Sequence, residues 1–226
     1  MNTLKDGFFR VIDYLRLSVT DRCNLRCIYC MPSEGIIPSR HEEILRYEEI
    51  LRIVKVAAGL GVKKVRLTGG EPLIRRNIAF LISEIKDIKG IEDLSMTTNG
   101  ILLEKYAREI ADAGLDRVNV SIDSFDGDTY KKITRGGSLD VVLRGLAAAE
   151  KAGLKPIKIN MVPMRGINDK EVISFAKITL DSDYHVRFIE CMPSGPIDFW
   201  SPKKYMTTDE LKDMIETIAP LIPVRA

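Results

Sequence analysis

The sequence predicts an α/β fold in which six strand–helix units follow one another along the chain. Short runs rich in Val, Ile and Leu alternate with longer segments that show helical periodicity, and glycines close several of these segments. Polar residues gather where the predicted strands end, at the edge where parallel βα proteins place their active sites. These observations favour one parallel sheet curled into an open or partial (βα)6 barrel, since eight units would make the closed barrel.

The first three units occupy the N-terminal half of the chain. In order, the predicted elements are a strand at 14–20, a helix at about 47–60, a strand at 64–68, a helix at about 78–88, a strand at 94–98 and a helix at about 103–113. The first helix carries apolar residues on one face, at Ile50, Leu51, Val54 and Ala58. Gly61 closes that helix and Gly114 closes the third.

The same alternation continues in the C-terminal half. The predicted elements are a strand at 117–122, a helix at 139–152, a strand at 157–162, a helix after Asn168 or Asp169, a strand at 186–190 and a helix after Thr207 or Thr208. The fifth helix should turn Val172, Phe175 and Ala176 inward, and the last should bury Leu211, Met214 and Ile215. Because no linker interrupts the pattern, the sequence predicts a single domain over 1–226.

The composition excludes few functions but indicates a compartment. The 226 residues include 34 basic and 32 acidic side chains, a balance that requires neither nucleic acid nor a membrane surface as partner. No apolar run is long enough to span a bilayer, and the first residues lack the apolar core of a signal peptide. We therefore expect a cytosolic protein, where clustered cysteines indicate metal binding or catalysis rather than disulfides.

Three of the four cysteines form a C-x3-C-x2-C run, Cys23, Cys27 and Cys30, in the loop after the first strand. Thiolates are soft ligands that suit zinc or an iron–sulfur cluster. Zinc would require a fourth ligand, for which the remaining candidates are Cys191, His41 and His185. An iron–sulfur cluster held by three thiolates instead leaves one iron with an open position for another molecule.

The run from Cys23 to Cys30, with Tyr29 before its last cysteine, resembles the C-x3-C-x-aromatic-C signature of the radical S-adenosylmethionine (SAM) superfamily. The resemblance implies a partial TIM-like barrel and a [4Fe-4S] cluster on the three cysteines, whose open iron binds the amino and carboxylate groups of SAM. One electron then cleaves SAM to methionine and a 5′-deoxyadenosyl radical, which takes hydrogen from the substrate.

A glycine pair follows the second strand, in Thr68-Gly69-Gly70-Glu71-Pro72. Two glycines let backbone approach a ligand closely and leave N–H or C=O groups to contact it, although an ordinary tight turn has the same composition. The segment resembles the GGEP segment that binds the amino end of SAM in the superfamily. The resemblance implies SAM contacts at Tyr29, Gly70, Ser121 and Met192. Considered alone, Met192 suits packing.

Further segments narrow the resemblance to the GTP 3′,8-cyclases, the molybdenum cofactor biosynthesis protein A family. These segments are 15–24, 30–32, 65–73, 96–100, 119–124 and 187–190. The resemblance implies a lyase that converts GTP to (8S)-3′,8-cyclo-7,8-dihydroguanosine 5′-triphosphate, the first step of molybdopterin and molybdenum cofactor biosynthesis. Hydrogen leaves the ribose 3′ carbon, and the sugar radical attacks C8 of guanine. The resemblance also implies an electron donor such as flavodoxin or ferredoxin, and it is compatible with a homodimer.

Four residues match positions that contact GTP in that family: Arg16, Arg66, Thr97 and Lys158. Two arginines and a lysine suit a triphosphate, because Arg makes forked contacts and Lys supplies a point charge. Arg16, Arg66 and Lys158 lie within predicted strands of a parallel sheet, where exposed faces are scarce, so we expect them to point into the barrel. Arg187 and Glu190 either line the same cavity or form an ion pair there.

The family has a C-terminal segment that does not occur in this sequence. GTP 3′,8-cyclases carry a second cluster, held by three cysteines of a C-terminal segment, and a Gly-Gly tail, whereas the sequence stops at Ala226. We expect a C-terminally truncated fragment, in preference to a natural short form with another substrate, that binds SAM but cyclises GTP poorly or not at all. Two alternatives are a radical SAM enzyme acting on another substrate, such as a peptide, and a non-catalytic zinc-stabilised βα protein.

Overall fold

The computed structural model describes residues 3–193 and 199–224. Its strands are β1 (Tyr14–Ser18), β2 (Lys64–Thr68), β3 (Asp93–Thr98), β4 (Arg117–Ser121), β5 (Lys158–Met161) and β6 (His185–Phe188). Its helices are α1 (Tyr47–Gly59), α2 (Ile78–Lys86), α3 (Leu103–Asp112), α4 (Gly127–Thr134), α5 (Leu139–Lys151), α6 (Val172–Asp181) and α7 (Thr208–Glu216). The sheet order is β1-β2-β3-β4-β5-β6 and the strand pairs are parallel, which confirms the predicted α/β class.

The chain divides into two compact units. The first comprises the residues up to Asn24 together with Ile37–Val120 and Val141–Ile157. The second comprises Leu25–Ile36, Ser121–Asp140 and the residues from Lys158 onward. The first unit contains β1 to β3, nearly all of β4, α1 to α3 and most of α5, while the second contains β5, β6, α4, α6 and α7. A single domain over the whole chain stays a prediction.

The strands of the first unit have one apolar face and one polar face. The apolar face includes Leu17, Val65, Leu67, Leu94, Met96, Val118 and Val120, all buried. The polar face includes Arg16, Ser18, Arg66, Thr68, Thr97 and Asn119. Arg16 of β1 lies opposite Arg66 of β2, and Arg66 lies opposite Ser95 of β3. Because strand side chains alternate between faces, the arginines fall on the side that the apolar core leaves polar.

The helices of the first unit bury the faces that their periodicity predicts. The buried helical residues include Ile50 and Val54 of α1, Leu81, Ile82 and Ile85 of α2, and Leu103, Ala107 and Ile110 of α3. Leu51 and Ala58, predicted on the same face of α1, are partly buried. The three-to-four-residue spacing of these side chains gives each helix one apolar stripe.

The strands and helices of the second unit repeat this pattern. Lys158 of β5 lies opposite His185 of β6, and Asn160 opposite Arg187, while the alternate positions Ile159 and Met161 are buried. The predicted inward residues of α6, Val172, Phe175 and Ala176, are buried. Of the inward residues predicted for α7, Leu211 is buried and Met214 and Ile215 are partly buried. Thr207 caps α7, because its hydroxyl accepts the Glu210 N–H at 3.1 Å.

One helix lies outside the predicted elements, and one predicted helix cap is wrong. Between 123 and 139, α4 forms with Asp126 as its N-cap and with Tyr130 and Ile133 buried. Neither Asn168 nor Asp169 caps α6: the N-cap position falls on Glu171, after a 3₁₀ turn. The Asn168 amide bonds to other parts of the unit instead, as described below. In the described part of the chain, no helix combines the length and the apolar character needed to cross a membrane.

Candidate functional site

The three clustered cysteines follow β1, and none of them forms a disulfide. Cys23 ends the first stretch of the first unit, whereas Cys27 and Cys30 belong to the second unit. Cys23 and Cys27 are partly buried and Cys30 is exposed. A turn orders the second pair, since the Cys30 N–H donates to the Cys27 carbonyl at 2.9 Å.

The last carbonyls of α4 hold the cysteine loop of the second unit. The Arg26 N–H donates to the Thr134 carbonyl at 3.2 Å, and the Ile28 N–H to the Ile133 carbonyl at 2.9 Å. Helices leave such terminal carbonyls without an intrahelical partner, so α4 offers them at no cost to its own bonding. Arg135, left-handed at φ 54°, ends the helix and donates to the Arg26 carbonyl at 3.3 Å. The unpredicted helix therefore positions the predicted loop.

Tyr29, the aromatic residue of the cysteine run, is anchored to a buried carboxylate. Its hydroxyl donates to Asp123 Oδ2 at 2.8 Å, and the Val162 N–H donates to Asp123 Oδ1 at 2.9 Å. The Asn168 amide donates to the Asp123 carbonyl at 2.7 Å and accepts the Met164 N–H at 2.7 Å. These bonds join the cysteine loop to the ends of β4 and β5 within the second unit.

Burial controls the ionisation of this pair. Asp123 is only 3% exposed, and this burial raises its pKa to about 6 against the opposing hydrogen bonds from Val162 and Tyr29. Burial, and then the nearby Asp123 charge, also raises the pKa of Tyr29 well above its usual value. The phenol therefore keeps its proton and acts as a donor near neutral pH.

In the first unit, the glycine pair lies against the backbone that leads to Cys23. The Gly70 N–H donates to the Thr20 carbonyl at 2.7 Å, and the Glu71 N–H to the Arg22 carbonyl at 2.8 Å. A Cβ on Gly70 would lie 2.1 Å from the Arg22 oxygen, and one on Gly69 would lie 2.2 Å from the Thr20 oxygen. These glycines are thus required by a close approach of two backbone segments, and the Gly70 N–H is already in use.

Glu71 organises the same region from inside. Its carboxylate is fully buried and accepts hydrogen bonds from the Leu73 N–H at 3.0 Å, the Thr98 hydroxyl at 2.7 Å and the Asn99 N–H at 2.7 Å. Burial raises its pKa, opposed by these three bonds. Glu71 therefore ties the turn after β2 to the turn after β3. The sequence motif contained this residue, but its structural task was not predicted.

Asn99, at the end of β3, contacts the first cysteine. Its Nδ2 lies 3.7 Å from Cys23 Sγ and 2.7 Å from Asn24 Oδ1. Its Oδ1 accepts the Ile101 N–H at 3.1 Å. The asparagine thus links the Glu71 framework to the sulfur of Cys23.

Three of the four residues predicted to contact GTP share the polar face of the first unit. Arg16 is exposed and Arg66 is partly buried, with Arg66 Nε donating to Ser95 Oγ at 3.3 Å. The Arg66 guanidinium lies 5.3 Å from the centre of the Tyr14 ring. Thr97 lies two residues beyond Ser95 and so faces the same side of β3.

The remaining predicted contacts belong to the second unit. Lys158 is partly buried on the polar face of β5. Ser121, predicted to contact SAM, is partly buried at the end of β4, and Met192 is 62% exposed after β6. Met192 therefore does not pack in the core, although its residue type favours a packing role.

Glu190 and Cys191 have structural surroundings. Glu190 accepts hydrogen bonds from the Tyr205 hydroxyl at 2.6 Å, the Thr208 hydroxyl at 2.6 Å and the Thr208 N–H at 2.8 Å, so it anchors the start of α7. The Thr208 hydroxyl is the main cause of its lowered pKa. Cys191 is 3% exposed among apolar side chains that include Ile133 and Met164, and this burial raises the pKa of its thiol. Such a thiol suits packing better than metal binding.

The clustered cysteines supply thiolates, which are soft donors that suit an iron–sulfur cluster. In such a cluster each thiolate binds a different iron, and the Asn99 amide lies beside one of the three sulfurs. Among the described side chains, which do not include that of His41, no three His, Cys, Asp or Glu residues are grouped around one point.

Comparison with known families identifies the pattern. Residues 17–178 match the sequence profile of the Radical SAM superfamily. This segment begins in β1 and ends within α6, so it includes the cysteine run, the glycine pair, the end of β1 and all of β2 to β5.

Curated relatives extend the match over almost the whole chain. The chain is 52% identical over 219 residues to the GTP 3′,8-cyclase of Petrotoga mobilis, covering 97% of this chain and 68% of the relative. It is 51% identical over 226 residues to the GTP 3′,8-cyclase of Thermodesulfovibrio yellowstonii, covering 98% of this chain and 69% of the relative. The chain therefore spans about two thirds of the length of these relatives.

Solved structures share the fold at low identity. Methylornithine synthase superposes with a TM-score of 0.68 at 17% identity, covering 90% of this chain and 61% of that one. Streptococcus suis SuiB bound to S-adenosylmethionine gives a TM-score of 0.68 at 17% identity, covering 90% and 47%. These likenesses confirm the predicted fold class, the partial TIM-like barrel.

Proposed function

The chain belongs to the radical SAM superfamily and, within it, to the GTP 3′,8-cyclase family, and on that premise we propose that it acts in the conversion of GTP to (8S)-3′,8-cyclo-7,8-dihydroguanosine 5′-triphosphate. One observation carries the choice of substrate: Arg16 and Arg66 are paired across β1 and β2 on the polar face of the sheet. In a parallel sheet two such cations stand about 5 Å apart in backbone spacing, which suits a polyanion.

Cys23, Cys27 and Cys30 would hold a [4Fe-4S] cluster, since they are thiols outside any disulfide and soft ligands of this kind suit iron–sulfur clusters. When bound, the cluster and SAM supply a one-electron reductive cleavage that starts hydrogen abstraction from the substrate. The protein contributes the positions of the ligands. Tyr29 fixes the loop of the last two cysteines through Asp123, and Asn99 fixes the sulfur of Cys23.

We propose that SAM contacts Tyr29, Gly70, Ser121 and Met192. The hydrogen bonds of these residues indicate which of their groups can contact it. The Gly70 N–H is taken by Thr20, which leaves its carbonyl to accept a bond from the ammonium group of SAM. Because the Tyr29 hydroxyl donates to Asp123, we expect Tyr29 to contact SAM through its ring or its backbone. Ser121 offers a hydroxyl and Met192 an exposed thioether.

For GTP, we propose that Arg16, Arg66 and Lys158 neutralise phosphate oxygens and that the Thr97 hydroxyl contacts the nucleotide. Arg66 is partly held by Ser95 and by the Tyr14 ring, which limits the side-chain entropy lost on binding. Arg16 is exposed and reaches a ligand without leaving a buried partner unpaired. The reaction also needs a low-potential electron donor such as flavodoxin or ferredoxin. A cytosolic location suits the reduced thiols, and a homodimer stays a prediction.

GTP titration into the anaerobically reconstituted protein tests the proposal. We expect Arg16→Ala and Lys158→Ala each to weaken GTP binding by about tenfold or more, which corresponds to one lost charge-assisted contact. Arg108→Ala is the matched control, because Arg108 pairs only on the surface with Asp112 at 2.8 Å. Any turnover of GTP deuterated at the ribose 3′ carbon should place deuterium in 5′-deoxyadenosine. Unchanged affinity for GTP in both variants would contradict the choice of GTP.

A further inference from the structure

The side-chain amide of Asn99 presents its NH2 group to the sulfur of Cys23. Nδ2 lies 3.7 Å from Cys23 Sγ, within the range of an N–H···S hydrogen bond. The orientation of the amide is fixed by its other end, because Oδ1 accepts the Ile101 N–H at 3.1 Å. The same Nδ2 donates to Asn24 Oδ1 at 2.7 Å, so an inverted amide would place oxygen against oxygen there.

The backbone of Asn99 is held as firmly as its side chain. Its N–H donates at 2.7 Å to Glu71, a fully buried carboxylate that also accepts the Thr98 hydroxyl. The next residue, Gly100, has φ +80° and donates its N–H to Thr98 Oγ1 at 3.1 Å. The donor is therefore placed before any ligand binds, and little reorganisation is needed for it to act.

A hydrogen bond to a ligating sulfur has a predictable electrostatic effect. Reduction by one electron adds negative charge to an iron–sulfur cluster, and part of that charge resides on the thiolates. An N–H donor stabilises the more negative state more strongly and so moves the reduction potential upward. No covalent bond forms or breaks in this step, and the electron comes from the low-potential donor.

We propose that Asn99 is a positioning residue for the cluster: its N–H···S bond orients the Cys23 thiolate and raises the reduction potential of the bound [4Fe-4S] cluster. The inference rests on the proposed function, because it requires a cluster on Cys23. It adds the Glu71–Asn99 framework to the cluster's surroundings and explains why the turns after β2 and β3 are joined by a buried carboxylate.

The test is a redox titration of the reconstituted protein without SAM, followed by electron paramagnetic resonance. Asn99→Ala should retain iron and sulfide but shift the midpoint potential to a more negative value. Asn99→Asp should shift it further, because a carboxylate oxygen replaces the donor beside the sulfur. Asn77→Gly is the control, because Asn77 is an exposed asparagine at φ +56°, a conformation that glycine adopts readily. The midpoint potential of the cluster in this variant should equal that in the unmodified protein.

A second measurement decides the case if the variants hold too little cluster. Asparagine labelled with ¹⁵N only at the side-chain amide should give a hyperfine coupling to the reduced cluster, and this coupling should be lost in Asn99→Asp wherever cluster is present. Absence of the coupling in the unmodified protein, or unchanged potentials in both variants at full cluster content, overturns the inference. An unmodified protein without iron and sulfide contradicts the proposed function instead, and that result is read before any potential is measured.

Discussion

Two buried carboxylates serve the two units in different ways. Glu71, in the first unit, accepts three hydrogen bonds, which come from the turn after β2, from the last residue of β3 and from the residue that follows β3. Asp123, in the second unit, accepts only two on its carboxylate, and one of them comes from the Tyr29 side chain of the cysteine loop itself. One carboxylate therefore builds a framework, whereas the other holds a single functional side chain.

The difference separates fold stability from loop position. Removing Glu71 leaves the Leu73 and Asn99 N–H groups and the Thr98 hydroxyl without this acceptor, at a buried or partly buried position. Changing the contact of Asp123 with Tyr29 frees one phenol and leaves the surrounding backbone bonded. Changes at Glu71 should therefore affect folding more than changes at the Asp123–Tyr29 pair.

Glu71→Ala should be the most damaging of these changes. Buried donors without partners cost about 1–3 kcal/mol each, so we expect a loss of about 4 kcal/mol in the free energy of unfolding. Urea unfolding of the anaerobic protein measures it. Glu71→Gln keeps one oxygen acceptor and should lose roughly half as much. A loss below about 1 kcal/mol for Glu71→Ala would show that Glu71 is not a framework residue.

Gly70→Ala should displace the backbone that leads to Cys23. The new Cβ would stand 2.1 Å from the Arg22 carbonyl oxygen, which is backbone and has little freedom to move. We expect a loss of roughly 3 kcal/mol and a lower iron content after reconstitution. Gly59→Ala is the control, because a Cβ there meets no atom within 4 Å, and its helical position should tolerate or favour alanine. Equal iron contents and stabilities for the two variants would contradict the close-approach explanation.

Asp123 should make stability depend on pH between about 4 and 6. Burial raises its pKa to about 6, so in this window the folded protein binds more protons than the unfolded chain. This contribution to stability is complete below pH 4 and is lost as the pH rises through 6, by roughly 3 kcal/mol at most. Asp123→Asn cannot titrate. The difference in unfolding free energy between the two proteins should therefore change across this window and be constant above it; a constant difference throughout would refute the assignment.

Tyr29→Phe should have the mildest effect on folding. It removes one hydrogen bond to a charged carboxylate, worth about 2 kcal/mol at pH 8, and about 1 kcal/mol at pH 4.5 where Asp123 is neutral. In the unmodified protein the hydrogen bond from Tyr29 lowers the pKa of Asp123 against the effect of burial. The pKa of Asp123 should therefore rise further in Tyr29→Phe. Tyr47→Phe is the control, since the Tyr47 hydroxyl donates to the Arg76 carbonyl and contacts no carboxylate. A loss that is equal at the two pH values for Tyr29→Phe would contradict the link to Asp123.

Much of the fold follows from strand and helix periodicity. Alternation in β1 and β2 places Leu17 and Leu67 in the core and therefore Arg16 and Arg66 on the opposite, polar face. That Arg16 lies opposite Arg66 could not be predicted, because it depends on which strands are neighbours and on their register. The sequence of one strand alone does not contain that information. The motif likewise indicated a ligand-contacting glycine, while the structure shows that backbone contact with Arg22 already requires it.

The parts that sequence reasoning missed depend on distant partners. Helix α4 is short, and it holds the cysteine loop through terminal carbonyls that accept hydrogen bonds from residues more than 100 positions earlier. The signals for it were the Asp126 cap and the apolar pair Tyr130 and Ile133. Asn168 looked like a helix cap, but bonds to Asp123 and Met164 across the unit occupy its amide.

We propose that the clustered thiols, and not the buried one, hold the group that cleaves SAM. The Cys27→Ala and Cys191→Ala variants test this assignment, with iron, sulfide and 5′-deoxyadenosine measured after anaerobic reconstitution with SAM and dithionite. We expect Cys27→Ala to lose the cluster and all formation of 5′-deoxyadenosine, and Cys191→Ala to keep both, since Cys191 is buried in an apolar core. Retained 5′-deoxyadenosine formation in Cys27→Ala, or zinc in place of iron in the unmodified protein, would contradict this assignment of the cluster ligands.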